Sequence, residues 1–203
     1  YEIIFVDDGS TDSSRKEIIK LKHKYKNVRY IFRSNDKDLS RSFYSGVKLS
    51  NSEYVILMDC DLQHDPQILN KLFKKIKIND VYSVSGSRFM KNSINNTRKF
   101  KYVFRLMLSK ILNKSINLLL NVKLTDALTG IFIVKRINFL KHRRNLYLNG
   151  YKIFLDFYTS SNKKENHIEI PIKLNERIYG KSKLNLKTLL NIGKLIFFKK
   201  FIS

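Results

Sequence analysis

A layered α/β sheet, mainly parallel and with helices on both faces, is the fold class the sequence predicts. Three observations carry it. Short apolar runs of strand length, such as Glu2-Ile3-Ile4-Phe5-Val6 and Tyr54-Val55-Ile56-Leu57-Met58, alternate with segments of helical periodicity. Those two runs break off into turn residues, Asp7-Asp8-Gly9-Ser10 after the first and Asp59-Cys60-Asp61 after the second. The chain has 203 residues and is 43% hydrophobic, enough for one domain with a substantial core and too apolar for disorder.

The elements follow in order. After the first strand, Ser10, Thr11 or Asp12 can cap a helix that carries Ile18, Ile19 and Leu21. Residues 28–32 read as a second strand, 40–49 as a helix and 53–58 as a third strand. Asp65-Pro66 opens the next helix, with a capping carboxylate and proline at the first helical position. Ile68, Leu69, Leu72, Phe73 and Ile76 then recur at helical spacing. A fourth strand over 81–85 leads to Gly86-Ser87-Arg88. Beyond it, 102–120 predicts one or two basic apolar helices, 131–134 and 168–174 predict strands, and 186–202 predicts an amphipathic helix. Seven glycines and two prolines, with no repeat, mark no domain boundary.

The formal net charge of +23 admits three sources: contact with nucleic-acid phosphates, attraction to an anionic membrane leaflet, or lysine-rich composition without function. No helix-turn-helix, zinc or RNA-binding aromatic signature is visible, so nucleic acid is not an expected partner. The segments 102–120 and 186–202 are apolar stripes edged by lysine and arginine, and Phe197-Phe198-Lys199-Lys200-Phe201 leans toward a membrane interface. No run approaches the roughly 18–20 apolar residues of a bilayer span, and Asp7 and Asp8 interrupt the only early apolar run, so no signal peptide is read. The single cysteine, Cys60, excludes an internal disulfide framework and fits a reducing compartment.

The chemistry concentrates at Asp59-Cys60-Asp61-Leu62-Gln63, directly after a strand. In open α/β sheets ligands bind at the carboxyl ends of strands. Two carboxylates at i and i+2 and a side-chain carbonyl two further on are oxygen ligands for a hard divalent cation, which also takes substrate phosphates. Asp7-Asp8 ends the first strand in the same manner and can face a ligand, whereas Asp12 reads as a helix cap.

Together these residues carry a resemblance. Val6-Asp7-Asp8-Gly9-Ser10-Thr11-Asp12, Met58-Asp59-Cys60-Asp61-Leu62-Gln63-His64-Asp65-Pro66 and Gly86-Ser87-Arg88 resemble the family-2 glycosyltransferases with the glycosyltransferase A, Rossmann-like fold. Thr125-Asp126-Ala127-Leu128-Thr129-Gly130-Ile131-Phe132 and Glu176-Arg177-Ile178-Tyr179-Gly180-Lys181-Ser182-Lys183 are similar to elements of the dolichol-phosphate mannose synthase and polyprenyl-phosphate glycosyltransferase branch. Two departures stand out. The family begins with an earlier strand ending in a Pro-x-x-Asn-Glu type loop, whereas this chain opens on what reads as the second. The stretch 38–46 lacks the glycine that usually precedes its helix, leaving Arg41 and Gly46 as anchors.

The resemblance implies inverting, single-displacement transfer of a hexose from a nucleotide-diphosphate sugar to a polyprenyl phosphate, dolichyl or undecaprenyl, at the cytoplasmic face of a membrane. A glycan hydroxyl is the alternative acceptor. Asp8, and less directly Asp7, would contact the nucleotide. Asp59, Asp61 and Gln63 would hold Mg²⁺ or Mn²⁺ against the diphosphate. Arg88, Arg177 and Lys181, helped by Ser182, would handle phosphates, for which the planar arginine fork is suited. Asp126 would orient the acceptor or the metal site, with catalytic base as second choice. The implied organisation is a catalytic domain over 1–185, without its first strand, and an amphipathic juxtamembrane helix over 186–203.

Overall fold

The structure, a computed structural model, describes residues 1–34, 37–78, 81–91, 93, 100–161, 166–175 and 186–202, side chains at 100–103, 105 and 186–187 excepted. Strand β1 (Ile3–Asp7) leads through α1 (Ser14–Lys24) to β2 (Val28–Phe32), and α2 (Leu39–Leu49) leads to β3 (Tyr54–Leu57). Helix α3 (Gln67–Ile76) precedes β4 (Ser83–Ser87), and a single helix α4 (Phe100–Leu120) covers the long basic segment. Then come β5 (Phe132–Lys135), α5 (Arg136–Lys141), a 3-10 turn (Arg143–Asn145), α6 (Ile153–Ser160), β6 (His167–Pro171) and α7 (Leu186–Phe201).

Strands β1 and β2 pair in parallel, and the other four stand in the order β3-β5-β4-β6. The four-stranded sheet is mixed rather than mainly parallel. β4 and β6 are parallel, but β5 runs antiparallel to both β3 and β4. Apolar patterning sets which residues face the core and carries no information on strand direction, which explains the difference. The consequence matters for the site: β5 begins where β3 and β4 end, with Phe132 opposite both Leu57 and Ser85.

Helices do cover both faces of this sheet, and β5 shows why. Phe132 and Val134 enter a cluster with Phe43, Phe139, Phe154 and Phe157, while Ile131 and Ile133 enter another with Ile68, Leu72 and Ile76. The alternation is the period of two expected of a strand buried on both sides. On α3 the buried positions fall at i, i+4 and i+8, one stripe of a helix.

β4 is Ser-Val-Ser-Gly-Ser, and all five residues are buried. Its hydroxyls are matched: Ser83 and Ser85 bind the two ring nitrogens of His167 at 2.8 and 3.1 Å. Burial pushes His167 down to about 4, against the upward pull of the bond to Ser83, so the ring is neutral at pH 7. Gly86 lets strands close in; a Cβ there would meet Ile172 Cγ2 at 2.7 Å and Ile131 Cγ2 at 2.8 Å.

The last helix divides its surface. Ile192 and Leu195 are buried, while Leu190, Phe197 and Phe201 are more than half exposed. Lys199, read from sequence as an interface cation, is instead enclosed, its ammonium 2.7 Å from Asp156 Oδ1. Among the described residues, no helix is long and apolar enough to cross a membrane.

Candidate active site

Asp59 and Asp61 lie in the turn that follows β3. Asp61 Oδ1 accepts the Gln63 N–H at 3.2 Å, closing a tight turn in which Leu62 adopts φ 60°. A left-handed conformation at leucine is strained and persists only where surrounding contacts hold it. Here the holding strand is the 174–175 segment: Asn175 N–H donates to Gln63 O at 2.8 Å, Gln63 Nε2 donates to Asn175 O at 3.3 Å, and His64 bridges antiparallel to Leu174. Asp65 then caps α3 by accepting the Gln67 N–H at 2.9 Å, as its sequence predicts.

The second block of the site reaches the same place from β5. Gly130 stands against the Asp59 carboxylate; a Cβ there would come 2.9 Å from Asp59 Oδ2 and 3.7 Å from His64 Nε2. Any larger residue would displace the carboxylate. Just upstream, Asp126 is fully buried and grips Arg88 as a fork, with Nε to Oδ2 at 2.7 Å and Nη2 to Oδ1 at 2.8 Å. The Arg88 backbone N–H adds a third bond to Oδ2 at 3.1 Å. Both oxygens of Asp126 are taken by Arg88 and no surface of it reaches solvent, which argues against the second-choice reading of it as a base.

His64 reports the electrostatics of the whole group. Burial lowers its pKa, outweighing the upward pull of Asp59 and Asp61; Arg88 lowers it further and Asp126 raises it. The His64 ring and the Asp59 carboxylate both stand within 4 Å of the place a side chain on Gly130 would take.

The donor set of the turn suits a hard divalent ion. Asp59 and Asp61 offer carboxylate oxygens and Gln63 an amide oxygen two residues on. Among the described residues no cation forms an ion pair with Asp59, in a chain of net charge +23. No group of three or more His, Cys, Asp or Glu gathers as a ligand set among the described residues, so two carboxylates and an amide would be completed by phosphate and water oxygens.

The two aspartates ending β1 separate in role. Asp7 is buried and closes its own turn, accepting Gly9 and Ser10 N–H at 3.3 and 3.2 Å and Arg15 Nε at 2.7 Å. Burial alone would raise it, but Ser10 and Arg15 hold it below the ordinary carboxylate range. This occupancy favours a turn-closing role for Asp7 over the nucleotide contact expected of it. Asp8 differs: its Oδ2 accepts the Asp38 N–H, while its Oδ1 is buried, 3.2 Å from Arg33 Nη1 but without a hydrogen bond. Paired with Arg33 but making no hydrogen bond, this oxygen keeps acceptor capacity for a ligand N–H or O–H. Asp12 accepts the Ser14 N–H at 3.0 Å and is the helix cap expected.

Several positioning residues escaped the sequence reading. Glu169 on β6 accepts the Thr125 and Asp126 N–H groups at 2.7 and 2.9 Å. Asn113 on α4 accepts the Ala127 N–H at 2.6 Å and donates to Leu124 O at 3.0 Å, with Asn117 one turn on donating to the same oxygen at 2.7 Å. The i, i+4 asparagine pair, which shares one face of this basic and apolar helix, was the available signal. Arg177, Lys181 and Ser182 lie outside the described residues; the described chain reaches Asn175 beside Gln63.

Comparison with known proteins agrees with this geometry. Residues 1–143 match the model of glycosyl transferase family 2. The dolichol-phosphate mannosyltransferase of Pyrococcus furiosus is 30% identical over 201 residues, 97% of this chain and 54% of that protein. The Saccharomyces cerevisiae enzyme of the same name is 43% identical over 75 residues, 37% of this chain and 28% of its own. The chain thus spans about half the length of the Pyrococcus protein. Among solved structures, glucosyl-3-phosphoglycerate synthase of Mycobacterium tuberculosis in complex with Mn²⁺, uridine-diphosphate-glucose and phosphoglyceric acid superposes with a TM-score of 0.65 at 14% identity, covering 97% of this chain and 68% of that one. The glycosyltransferase A fold expected from the sequence is the fold the protein has. The acidic turn after β3 lies beside Gly130 of the 125–132 motif, and the chain belongs to glycosyl transferase family 2, grouping there with the dolichol-phosphate mannosyltransferases.

Proposed function

We propose that this domain transfers a hexose, with inversion, from a nucleotide-diphosphate sugar to a polyprenyl phosphate at the cytoplasmic face of a membrane. The observation that carries the reading is the placing of the Asp59 carboxylate, in the turn after β3, against Gly130 and beside His64 at the start of β5, where β4 also ends in the Arg88–Asp126 pair. Asp59, Asp61 and Gln63 would hold Mg²⁺ or Mn²⁺. Such an ion, when bound, neutralises charge on a departing diphosphate. The Mycobacterium relative, with Mn²⁺ and a uridine-diphosphate sugar, supports both donor class and ion. Asp8 Oδ1, buried beside Arg33 and making no hydrogen bond, would accept a base N–H or a ribose hydroxyl.

The enclosure of Asp126 supports a phosphate acceptor. A sugar hydroxyl has to lose its proton to a base, and the carboxylate nearest the matched position is enclosed by Arg88. A phosphate monoester, with its second pKa of about 6, is a nucleophile already at neutral pH. The names of the Pyrococcus and Saccharomyces relatives favour the same acceptor class. Arg177 and Lys181, from the matched 176–183 element, would hold its phosphate, with Ser182 assisting. A screen of nucleotide sugars with Mn²⁺ and a short polyprenyl phosphate tests the proposal. A lipid-phosphate sugar of inverted anomeric configuration is expected; transfer to glycan hydroxyls with none to the phosphate would replace it with the alternative acceptor.

The surface of α4 and α7 supports the membrane part. The two helices pack together and expose Met107, Ile111, Leu190, Phe197 and Phe201 beside lysines such as Lys110, Lys194 and Lys200. Apolar side chains with basic neighbours fit an anionic leaflet, where each lysine or arginine near the surface contributes about 1 kcal/mol. The protein is expected to co-sediment with phosphatidylserine vesicles and to be released at high salt; absence of binding at low salt would remove the membrane from the proposal.

A further inference from the structure

Lysine 199 is on the last helix, yet its side chain is only 2% exposed and that of its partner Asp156 only 3%. Its ammonium donates to Asp156, Asn145 O and Ser160 Oγ, which accounts for all three protons. Asp156 in turn accepts the Tyr147 N–H at 3.0 Å and the Leu148 N–H at 2.8 Å. A buried ion pair therefore holds the start of the 147–150 loop from two sides. That loop contains two left-handed residues, Leu148 at φ 50° and Gly150 at φ 94°. Such a backbone keeps its shape only where neighbours determine it.

The far side of the loop is bound just as closely. Gly150 O accepts Ser40 N–H at 3.1 Å and Ser40 Oγ at 2.9 Å, and Leu148 O accepts Arg41 Nε at 3.2 Å. The Gly150 N–H donates to Asp38 Oδ2, and Asp38 Oδ1 caps α2 through Ser40 and Arg41 N–H at 2.9 and 3.1 Å. Finally, the Asp38 N–H donates to Asp8 Oδ2. From Lys199 to Asp8 the hydrogen bonds form an unbroken series through α6, the loop and the N-terminus of α2.

We propose that Lys199 and Asp156 are a positioning pair for donor binding: they set the 147–150 loop, which through Asp38 fixes the Asp8 carboxylate for the nucleotide. The inference rests on the reading of Asp8 as a donor contact. A solely structural pair would lower stability without touching donor affinity, whereas a positioning pair raises the donor KM and leaves kcat in place.

The test compares Lys199→Met, Asp156→Asn and Gly150→Ala in the whole protein that carries this domain. Gly150→Ala strains the loop without creating a buried charge, so it reports even if the ion-pair variants fold poorly. Ile76→Ala, a buried site at the end of α3 in the other core cluster, is the stability control. Donor KM is expected to rise about five- to tenfold in the loop and pair variants, the span of ordinary coupling between linked sites, with kcat unchanged. In Ile76→Ala the melting temperature falls and donor KM stays. Donor KM values that merely follow melting temperature, control included, overturn the proposal. Asp8→Asn separates the two levels: raised donor KM there with none in the loop variants breaks the path alone, while an unchanged donor KM in Asp8→Asn removes the donor reading and the path together.

Discussion

Replacing Asp59 or Asp61 with alanine is expected to lower kcat by about three orders of magnitude, because a lost metal withdraws several kcal/mol of charge stabilisation from the departing diphosphate and each 1.4 kcal/mol is tenfold in rate. Mn²⁺ affinity, followed by calorimetry or by the electron-spin signal of free Mn²⁺, should fall in both variants. Their stabilities should differ. Asp59 has no hydrogen bond or ion pair recorded among the described residues and lies against Gly130, so its removal leaves the melting temperature near that of the parent. Asp61 holds the Gln63 N–H and with it the left-handed Leu62, so its removal costs about 1 kcal/mol. Equal catalytic loss with unequal stability is the signature of a ligand pair in which one member also builds the turn. Unchanged turnover in either variant would refute the metal assignment.

The parts of this site that were legible in the sequence are those written within a few residues. A strand followed by Asp59-Cys60-Asp61, a proline after Asp65, and Asp12 ahead of a helix are local patterns, and each forms the element it predicts. Pairings between distant residues were not legible. Arg88 and Asp126 are 38 positions apart and Asp156 and Lys199 are 43 apart, separations over which no periodicity speaks. Both members of the first pair were singled out, but as independent ligand contacts. Lys199 was read as an interface cation because lysine beside phenylalanine in an amphipathic helix ordinarily carries its charge out to water. Helix α6 was missed for a different reason: Ile153, Phe154, Leu155, Asp156 and Phe157 are all buried, so the segment lacks the polar face that makes a helix visible. The reversed direction of β5 belongs with the pairings, since it is a property of neighbours rather than of the strand.

The Arg88–Asp126 fork yields the second large effect, and its three variants divide charge from shape. Arg88→Ala leaves the Asp126 carboxylate buried at 0% exposure with its cation gone, a loss of about 3–5 kcal/mol for a broken buried pair. Because the Arg88 side chain is 22% exposed and water can follow it into the gap, the lower end of that span applies. For a domain of this size about 3 kcal/mol lowers the melting temperature by roughly 10 °C. Asp126→Asn keeps the outline and one acceptor for the guanidinium, so it should destabilise less than Arg88→Ala. Removing both charges together, as Arg88→Met with Asp126→Leu, should recover much of the stability lost in Arg88→Ala, since the unpaired carboxylate rather than the missing bond carries the cost. Activity should not recover with it, because the proposed phosphate contact is gone in both. Thermal melting and kcat/KM of the three variants decide the matter: a double variant that regains stability and turnover alike would leave Arg88 a structural cation with no part in the transfer.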